Sequence, residues 1–527
     1  MIKTRLGDVM KTFGRQTILA NYEEDDLLSL LSEKKIKELD KIIIKILQQA
    51  EGIHQQNKAE TIYLKGYLYG DQDIKNKKKY TREEINNKTT ENWVWAFVDF
   101  KKSYLLGKPI QYVQLNDAEG KEISILNQYV RYAQKKAKDM LIYEDALVCG
   151  RGFRYVNKNK RFKKGKAPFE IINCNPEDTE VVYSSKLGNE QLFSYIETEM
   201  IDYQPSTNDK GVLVTDEIPY SEYAVYLRNA ALTYSNKGGT WHREGEPKPL
   251  LYDEHIITEY YLNKKRISMI EIGKDLFDDI NYLESLDKDD MEQFVNAILV
   301  FTNATVTEDD LTDIKALGAV CINSTENKKA SVDLLQGRLN ATDTQTYYNR
   351  LLSALHQILG VPMSSENGSV TFGDTGQAKL TGQGYTDAGI RSEGDTTMFG
   401  VCDMQSLEVI LKICKSTNNS EVKELSASDI DNKFQREMSE NLLVKTQGLL
   451  NLYACDIPRS VANSIVNLFG DPNSVTEMQQ QLFGEQQSQQ NKGSSQLIGD
   501  KRTASEFKIN KQNNDLTRAT QNDLQGK

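Results

Sequence analysis

Residues 364–377 read SSENGSVTFGDTGQ. The stretch is rich in Gly, Ser, Thr and Asn, the residues of turns and loops. On both sides the spacing turns helical. ATDTQTYYNRLLSALHQILG (341–360) sets Tyr348, Leu351, Leu352, Leu355 and Leu359 on one face and closes on Gly360 and Pro362. YTDAGIRSEGDTTMFGVCDMQSLEVILKICKS (385–416) resumes the helical period. A polar loop of this kind, far from either terminus, is usually short, functional or disordered.

Upstream, ISMIEIGKDLFDDINYLESLDKDDMEQFV (267–295) predicts another helix, with Leu276, Ile280, Leu283 and Leu286 on one stripe. Its other faces carry Glu271, Asp275, Asp278, Asp279, Glu284, Asp287, Asp289, Asp290 and Glu292 against Lys274 and Lys288. Neighbouring acids such as Asp278 and Asp279 point about 100° apart on a helix and chelate a metal poorly, so the reading is a solvated acidic face. A small α/β patch, AILVFTNATVTEDDLTDIKALGAVCIN (297–323), separates this helix from the one at 341–360.

Nearer the N-terminus, 23–52 reads as one helix ending near Gly52, followed by the basic run KNKKKY (75–80). A helix over about 90–106 stops at Gly107 and Pro109 and leads into a strand at 110–113. Trp93 and Trp95 lie on different faces of it, as packing or interface residues. Residues 123–152 read as one helix ended by Gly150 and Gly152. The period then changes to two: FRYVN, FEIINCNP, EVVYSS, LFSYIETEM, YAVYLRN and IITEYYL make 150–262 a β-rich region. Its first hairpin carries NKNKRFKKGK (157–166), where Lys158, Lys160, Arg161, Lys163 and Lys164 form a solvated tip or a phosphate contact. Residues 440–483 predict two or three helices. From Gly484 the chain is a Gln-, Asn-, Ser- and Lys-rich tail, mobile or ordered by a partner.

The 527 residues carry a net charge of −11, which argues against wrapping nucleic acid on a basic surface. Mean hydropathy is −0.57, and no apolar run reaches membrane length. The N-terminus lacks the apolar core of a signal peptide, so the expectation is the cytoplasm where the chain is made. Six scattered cysteines and four histidines predict free buried thiols, with no metal and no cofactor. There is no GK[ST] phosphate loop, no GxSxG and no HExxH. The expectation is a protein that is not an enzyme.

The order of elements carries more than any single motif. FVDFKKSYLLGKPIQYV (97–113), DALVCGRGFRYVN (145–157) and CNPEDTEVVYSS (174–185) resemble successive signatures of tailed-bacteriophage portal proteins. ILGVPMSSE (358–366) with FGDTGQAKLTGQGY (372–385) is similar to that family's segment between two helices. The resemblance covers roughly 25–480. It implies an α+β subunit with a helical stem and crown, a mixed α/β wing and a small α/β clip, assembling into a ring, usually a dodecamer.

Carried onto this chain, the family plan reads as follows. Residues 1–24 are an N-terminal arm, 25–266 the wing, 267–295 the first stem helix and 296–340 the clip. The second stem helix is 341–361 and the tunnel loop 362–385. The wing's long helix and return are 386–439, the crown 440–483 and the tail 484–527.

On this plan Ser365, Glu366, Asn367, Gly368, Ser369, Val370, Thr371, Phe372, Gly373 and Asp374 face the DNA. Asp275, Asp278, Asp279, Glu284, Asp287, Asp289 and Asp290 form an acidic stem, and the 158–164 cations are an outer DNA contact. The implied partners are further copies of the chain, double-stranded DNA, the terminase large subunit, the major capsid protein, scaffold protein and a head-completion or adaptor protein, with no membrane. The implied place is the portal vertex of the virion, with host cytoplasm during assembly. A different head-completion or tail component is the alternative reading. A metal-dependent nuclease on the acidic helix lacks a second cluster of carboxylates.

Overall fold

The structure is a computed structural model that describes residues 13–80, 83–115, 121–163, 165–207, 213–250, 252–295, 298–302, 331–335, 341–363, 385–435 and 449–453. The chain divides into two units, Met1–Met438 and Ser439–Lys527; of the second, only 449–453, helical, are described. Of the expected features, 364–384, most of the clip and crown, and the tail lie outside the described residues.

The helix expected at 23–52 is two helices, α1 (Glu24–Ser32) and α2 (Ile36–Leu68). They break at Lys34, which takes a positive φ of 58° without a glycine to announce it. α2 then runs through Gly52, where a Cβ would meet nothing within 4 Å. Its buried face keeps helical spacing over Leu39, Ile43, Ile46, Leu47, Ala50, His54, Asn57, Thr61, Leu64 and Leu68. The middle of that face is polar, which hides the second half of the helix from an apolar-periodicity reading.

The same happens at 123–152, which forms α4 (Lys121–Tyr132) and α5 (Lys135–Val148), split at Gln134 with φ 55°. Between them in chain order with α2 come α3 (Trp93–Leu106) and strand β2 (Gln111–Gln114), within a residue or two of the expected bounds at their C-terminal ends. Asn92 caps α3 by accepting from the Trp95 N–H at 3.3 Å. Trp93 packs against Phe97 and His356, whereas Trp95 stays exposed beside Tyr69.

The β-rich region is confirmed and is larger than the apolar runs suggest. Strands β3 (Gly152–Lys158), β4 (Phe169–Cys174) and β10 (Ile257–Tyr260) form an antiparallel sheet in the order β10-β3-β4. A six-stranded sheet follows the order β1-β5-β6-β7-β8-β9. Its members are β1 (Ile18–Ala20), β5 (Thr179–Ser184), β6 (Gln191–Thr207), β7 (Leu213–Tyr226), β8 (Ala230–Ser235) and β9 (His242–Pro249). β1, inside the segment expected as an arm, lies parallel to β5; the other neighbours are antiparallel.

Two cores result. The N-terminal half of α2 packs on the six-stranded sheet through Ile43, Leu47, Val182, Phe193, Tyr195 and Val225. Its C-terminal end, with Leu64 and Tyr67, joins a second core of helices and the three-stranded sheet. Between the cores α2 presents His54, whose ring nitrogens lie 3.4 Å from Glu180 on β5 and 2.8 Å from Glu197 on β6. Arg151 clamps Glu180 with both guanidinium nitrogens at 2.5 and 2.6 Å. Cys149, Cys402 and Cys414 are buried free thiols, and Cys174 is a half-buried one.

Burial disfavours the His54 imidazolium, but the hydrogen bonds and charges of Glu180 and Glu197 outweigh it and hold the group at about 8. A folded value raised above the ordinary 6.5 means stability that is complete below pH 6.5 and lost as pH rises through 8. The pair of states differs by roughly 2 kcal/mol. The thermal midpoint of the native chain should therefore fall between pH 6.5 and 8 by more than that of His54→Gln. Equal slopes for both chains over that window, in parallel melts, would contradict the assignment.

Candidate functional site

The helices flanking the central loop form the candidate site. α6 (Met269–Val295) and α7 (Ala341–Leu359) are joined at their far ends by a two-stranded tie of β11 (Ile298–Thr302) and β12 (Ser331–Leu335). α8 (Tyr385–Ser416) takes up the chain beyond the loop and is followed by β13 (Ile430–Lys433), which pairs with β2.

α6 begins at a capped N-terminus. Ser268 Oγ accepts from the Ile270 N–H at 3.0 Å, and Glu271 accepts from the Ser268 N–H at 2.7 Å. Glu271 also binds Arg15, which reaches Glu60 of α2 as well. α7 lies against α6, and its Leu351, Leu355 and Leu359 are buried in the same core as Phe277 and Ile280 of α6. Gly273 makes the close approach possible, because a Cβ there would sit 3.1 Å from Leu355 Cδ2 and 2.9 Å from Phe277 Cε2.

A second face of α6 is laced to an extended strap. The N–H groups of Asn87, Thr89 and Glu91 donate to Asp289 (2.6 Å), Ser285 (3.0 Å) and Asn281 (2.7 Å). Two residues of extended chain advance about 6.6 Å and four residues of helix about 6 Å, so alternate strap amides meet every fourth helix side chain. Glu91 then accepts from Tyr348 Oη of α7 at 2.8 and 2.9 Å, tying strap and both helices together. The spacing of Asn281, Ser285 and Asp289 was the only sign of this in the sequence.

The seven acidic positions divide accordingly. Asp289 is buried and bound by Lys77 (2.8 Å) and Lys79 (3.3 Å); burial works against its charge, but these hydrogen bonds win and lower its pKa. Asp278 is half-buried between Lys274 (2.5 Å) and Tyr67 Oη (2.8 Å). The solvated-face reading fails for these two and for Glu271, because the chain's own cations and amides take them. Asp275 and Asp279 stand exposed one turn apart, with Ile272 and Tyr282 also exposed; Glu284, Asp287 and Asp290 are half-buried. Lys77 and Lys79 of the basic run are thereby occupied.

The base of the loop is clamped. Gly360 turns α7 off with φ 67°, and Arg391 of α8 donates to the carbonyls of Gln357 (2.6 Å) and Ile358 (3.2 Å). The ten positions expected to face DNA, Ser365 to Asp374, lie outside the described residues. α8 itself is locked by a buried cluster. Asp403 meets Lys135 Nζ (2.8 Å) and Arg154 (3.5 Å) and accepts from Tyr112 Oη (2.8 Å). Asp139 takes Lys135 and Arg154 at 2.8 Å each. Two cations and two carboxylates thus balance in a buried core.

The 158–166 cations are far from this frame in kind. They form the β3–β4 hairpin tip, where Asn159 Oδ1 accepts from the Arg161 N–H at 2.9 Å. Lys160, Arg161 and Lys163 are exposed and Lys158 half-buried; Lys164 lies outside the described residues. Among the described residues no group of His, Cys, Asp and Glu is placed to hold a metal, and no helix is long and apolar enough to cross a membrane.

Removing one charge from the balanced cluster leaves a buried cation uncompensated, at a cost of about 3–5 kcal/mol. Asp403→Asn should lower the urea midpoint accordingly, while Asp403→Asn with Lys135→Met, which keeps the charges equal, should recover part of the loss. A double variant no better than the single would refute the charge-balance account.

The family described as "Phage portal protein, SPP1 Gp6-like" matches residues 47–492 of this chain. The portal protein of Bacillus phage SPP1 is 21% identical over 221 residues, a stretch that is 42% of this chain and 42% of that protein. The similarity to that relative thus spans less than half its length, whereas the family match runs from the middle of α2 past α8. It includes α6, α7, the clamped loop and the cluster on Asp403. The chain belongs to the SPP1-type family of phage portal proteins.

Proposed function

We propose that this chain forms a ring, a dodecamer, at one vertex of the capsid and is the conduit through which DNA enters and leaves. It is a structural connector and carries no catalysis of its own. The terminase large subunit docks on it during packaging, and a head-completion or adaptor protein follows. The major capsid protein and scaffold surround it, assembly takes place in the host cytoplasm, and its final place is the virion. The observation that carries this reading is the braced α6–α7 pair, with a tie at one end and the clamped loop at the other, within the matched family region.

In this reading α6 and α7 are the stem, 296–340 the clip and 362–385 the tunnel loop. Glycines 368, 373 and 376 supply backbone freedom to that loop. DNA that must slide has to be held loosely, because each phosphate neutralised adds affinity through counterion release. Asp275 and Asp279, repeated around a ring, repel the backbone and keep the duplex centred.

Electron microscopy and native mass of the purified protein test the ring directly; a chain that stays monomeric with scaffold and capsid protein present would defeat the reading. Deleting 367–373 should leave the number of subunits in the ring unchanged while reducing packaged DNA, and normal packaging would remove the loop from the conduit. Asp275→Lys with Asp279→Lys should raise the affinity of isolated rings for duplex DNA. The slope of log K against log salt should steepen by about 0.9 for each phosphate gained. An unchanged slope would place that face of α6 away from DNA.

A further inference from the structure

β6 and β7 continue well past their neighbours. β5 pairs with β6 no further than Ile196, and β8 pairs with β7 no further than Glu222. From Met200↔Tyr220 to Thr207↔Leu213 the two strands pair, among the described residues, only with each other. A lone two-stranded ribbon is marginal in water and gains stability by packing on something. This one exposes Met200, Ile201, Tyr203 and Ile218, by 38, 49, 61 and 40%. Cross-strand partners share a face, so Met200 with Tyr220 lies on one side and Ile201 with Pro219 on the other. The apolar surface is therefore two-sided, and among the described residues Met200, Ile201, Tyr203 and Ile218 stay uncovered on it.

The ribbon is also one-signed. β6 and β7 contain Glu197, Glu199, Asp202, Asp216, Glu217 and Glu222 and no Lys or Arg. Lys58 reaches Glu199 and Lys237 reaches Asp202, at 2.8 Å each, which leaves an acidic excess. The β3–β4 tip is its opposite. Lys158, Lys160, Arg161, Lys163 and Lys166 stand within nine residues that hold no acid, and none of them is in an ion pair among the described residues. Among the described residues no ion pair joins tip and ribbon within one chain.

We infer that the ribbon and the basic tip are the two halves of one contact between neighbouring copies of this chain. Two different, complementary patches on one subunit make a head-to-tail contact, the kind that closes into a ring. The apolar residues of the ribbon supply buried area, and the charges set its register and partner. DNA is the rival occupant of the tip, but it has no use for an acidic, apolar ribbon. This inference rests on the ring reading and adds the surfaces that make the ring.

The test is a charge swap in the full chain, read by native mass and sedimentation across concentration, with a duplex-DNA gel shift in parallel. Glu217→Lys alone, and Lys160→Glu with Arg161→Glu alone, place like charges opposite each other. Exposed charge contacts are individually weak but repeat at every subunit interface, so each variant should raise the half-assembly concentration by about tenfold or more. Circular dichroism should be unchanged, since all three side chains are exposed. Combining the two variants should return assembly toward the native threshold. Rings that form normally in both variants overturn the inference and leave the ring reading standing. So does a tip variant that loses DNA binding while assembling normally. A native chain that remains monomeric throughout overturns both.

Discussion

Asp403 is the charge around which the subunit is built. It is fully buried on α8 and survives ionised because Lys135 of α5, Arg154 of β3 and the hydroxyl of Tyr112 on β2 all reach it. A carboxylate in such a place is costly unless every neighbour is in position, which makes the cluster intolerant of displacement. The requirement fixes α8 against three elements that lie far from it in the chain. Arg391 sits on the same helix about 18 Å away by helical rise and caps the last carbonyls of α7. The place where the central loop leaves and rejoins the body is thus set by a charge balance buried well behind it.

The same economy of design recurs in α2 and α6. Each long helix has a buried face whose polar side chains answer backbone or ionic groups of another element. On α2 the polar stretch joins two apolar cores and lets one helix span both. On α6 it binds an extended strap that would otherwise have no partner for alternate N–H groups. In both helices the buried polar face ties together elements that lie far apart in the chain.

Charge on the molecule is sorted by whether it is answered internally. Asp278, Asp289 and Glu271 are consumed in holding the subunit together. Asp275 and Asp279 are left facing outward. The β3–β4 tip and the β6–β7 ribbon carry unanswered charge of opposite sign. In the proposed ring, these two sets of free charge would have separate duties, repelling the duplex and choosing the neighbouring subunit.

The sequence by itself determined the class and most of the elements. Apolar spacing placed α3, α6, α7 and α8 within a few residues, the change to period two marked the β-rich region, and Gly360 with Pro362 marked the end of α7. Local chemistry sufficed there, because each signal lies within one turn or one strand. It did not suffice at Lys34 and Gln134, where residues without a glycine's freedom adopt positive φ because packing on either side demands it. Nor did it foresee α2 beyond Gly52, since His54, Asn57 and Glu60 look solvent-facing until Glu180, Glu197 and Arg15 are brought to them. The acidic helix shows the limit most plainly. Its nine acids are equivalent in the sequence, and only the tertiary structure, by bringing Lys77, Lys79 and Tyr67 from some two hundred residues away, decided which hold the fold and which remain free. A charge's role depends on what surrounds it in space, and that is set by long-range contacts that no local pattern records.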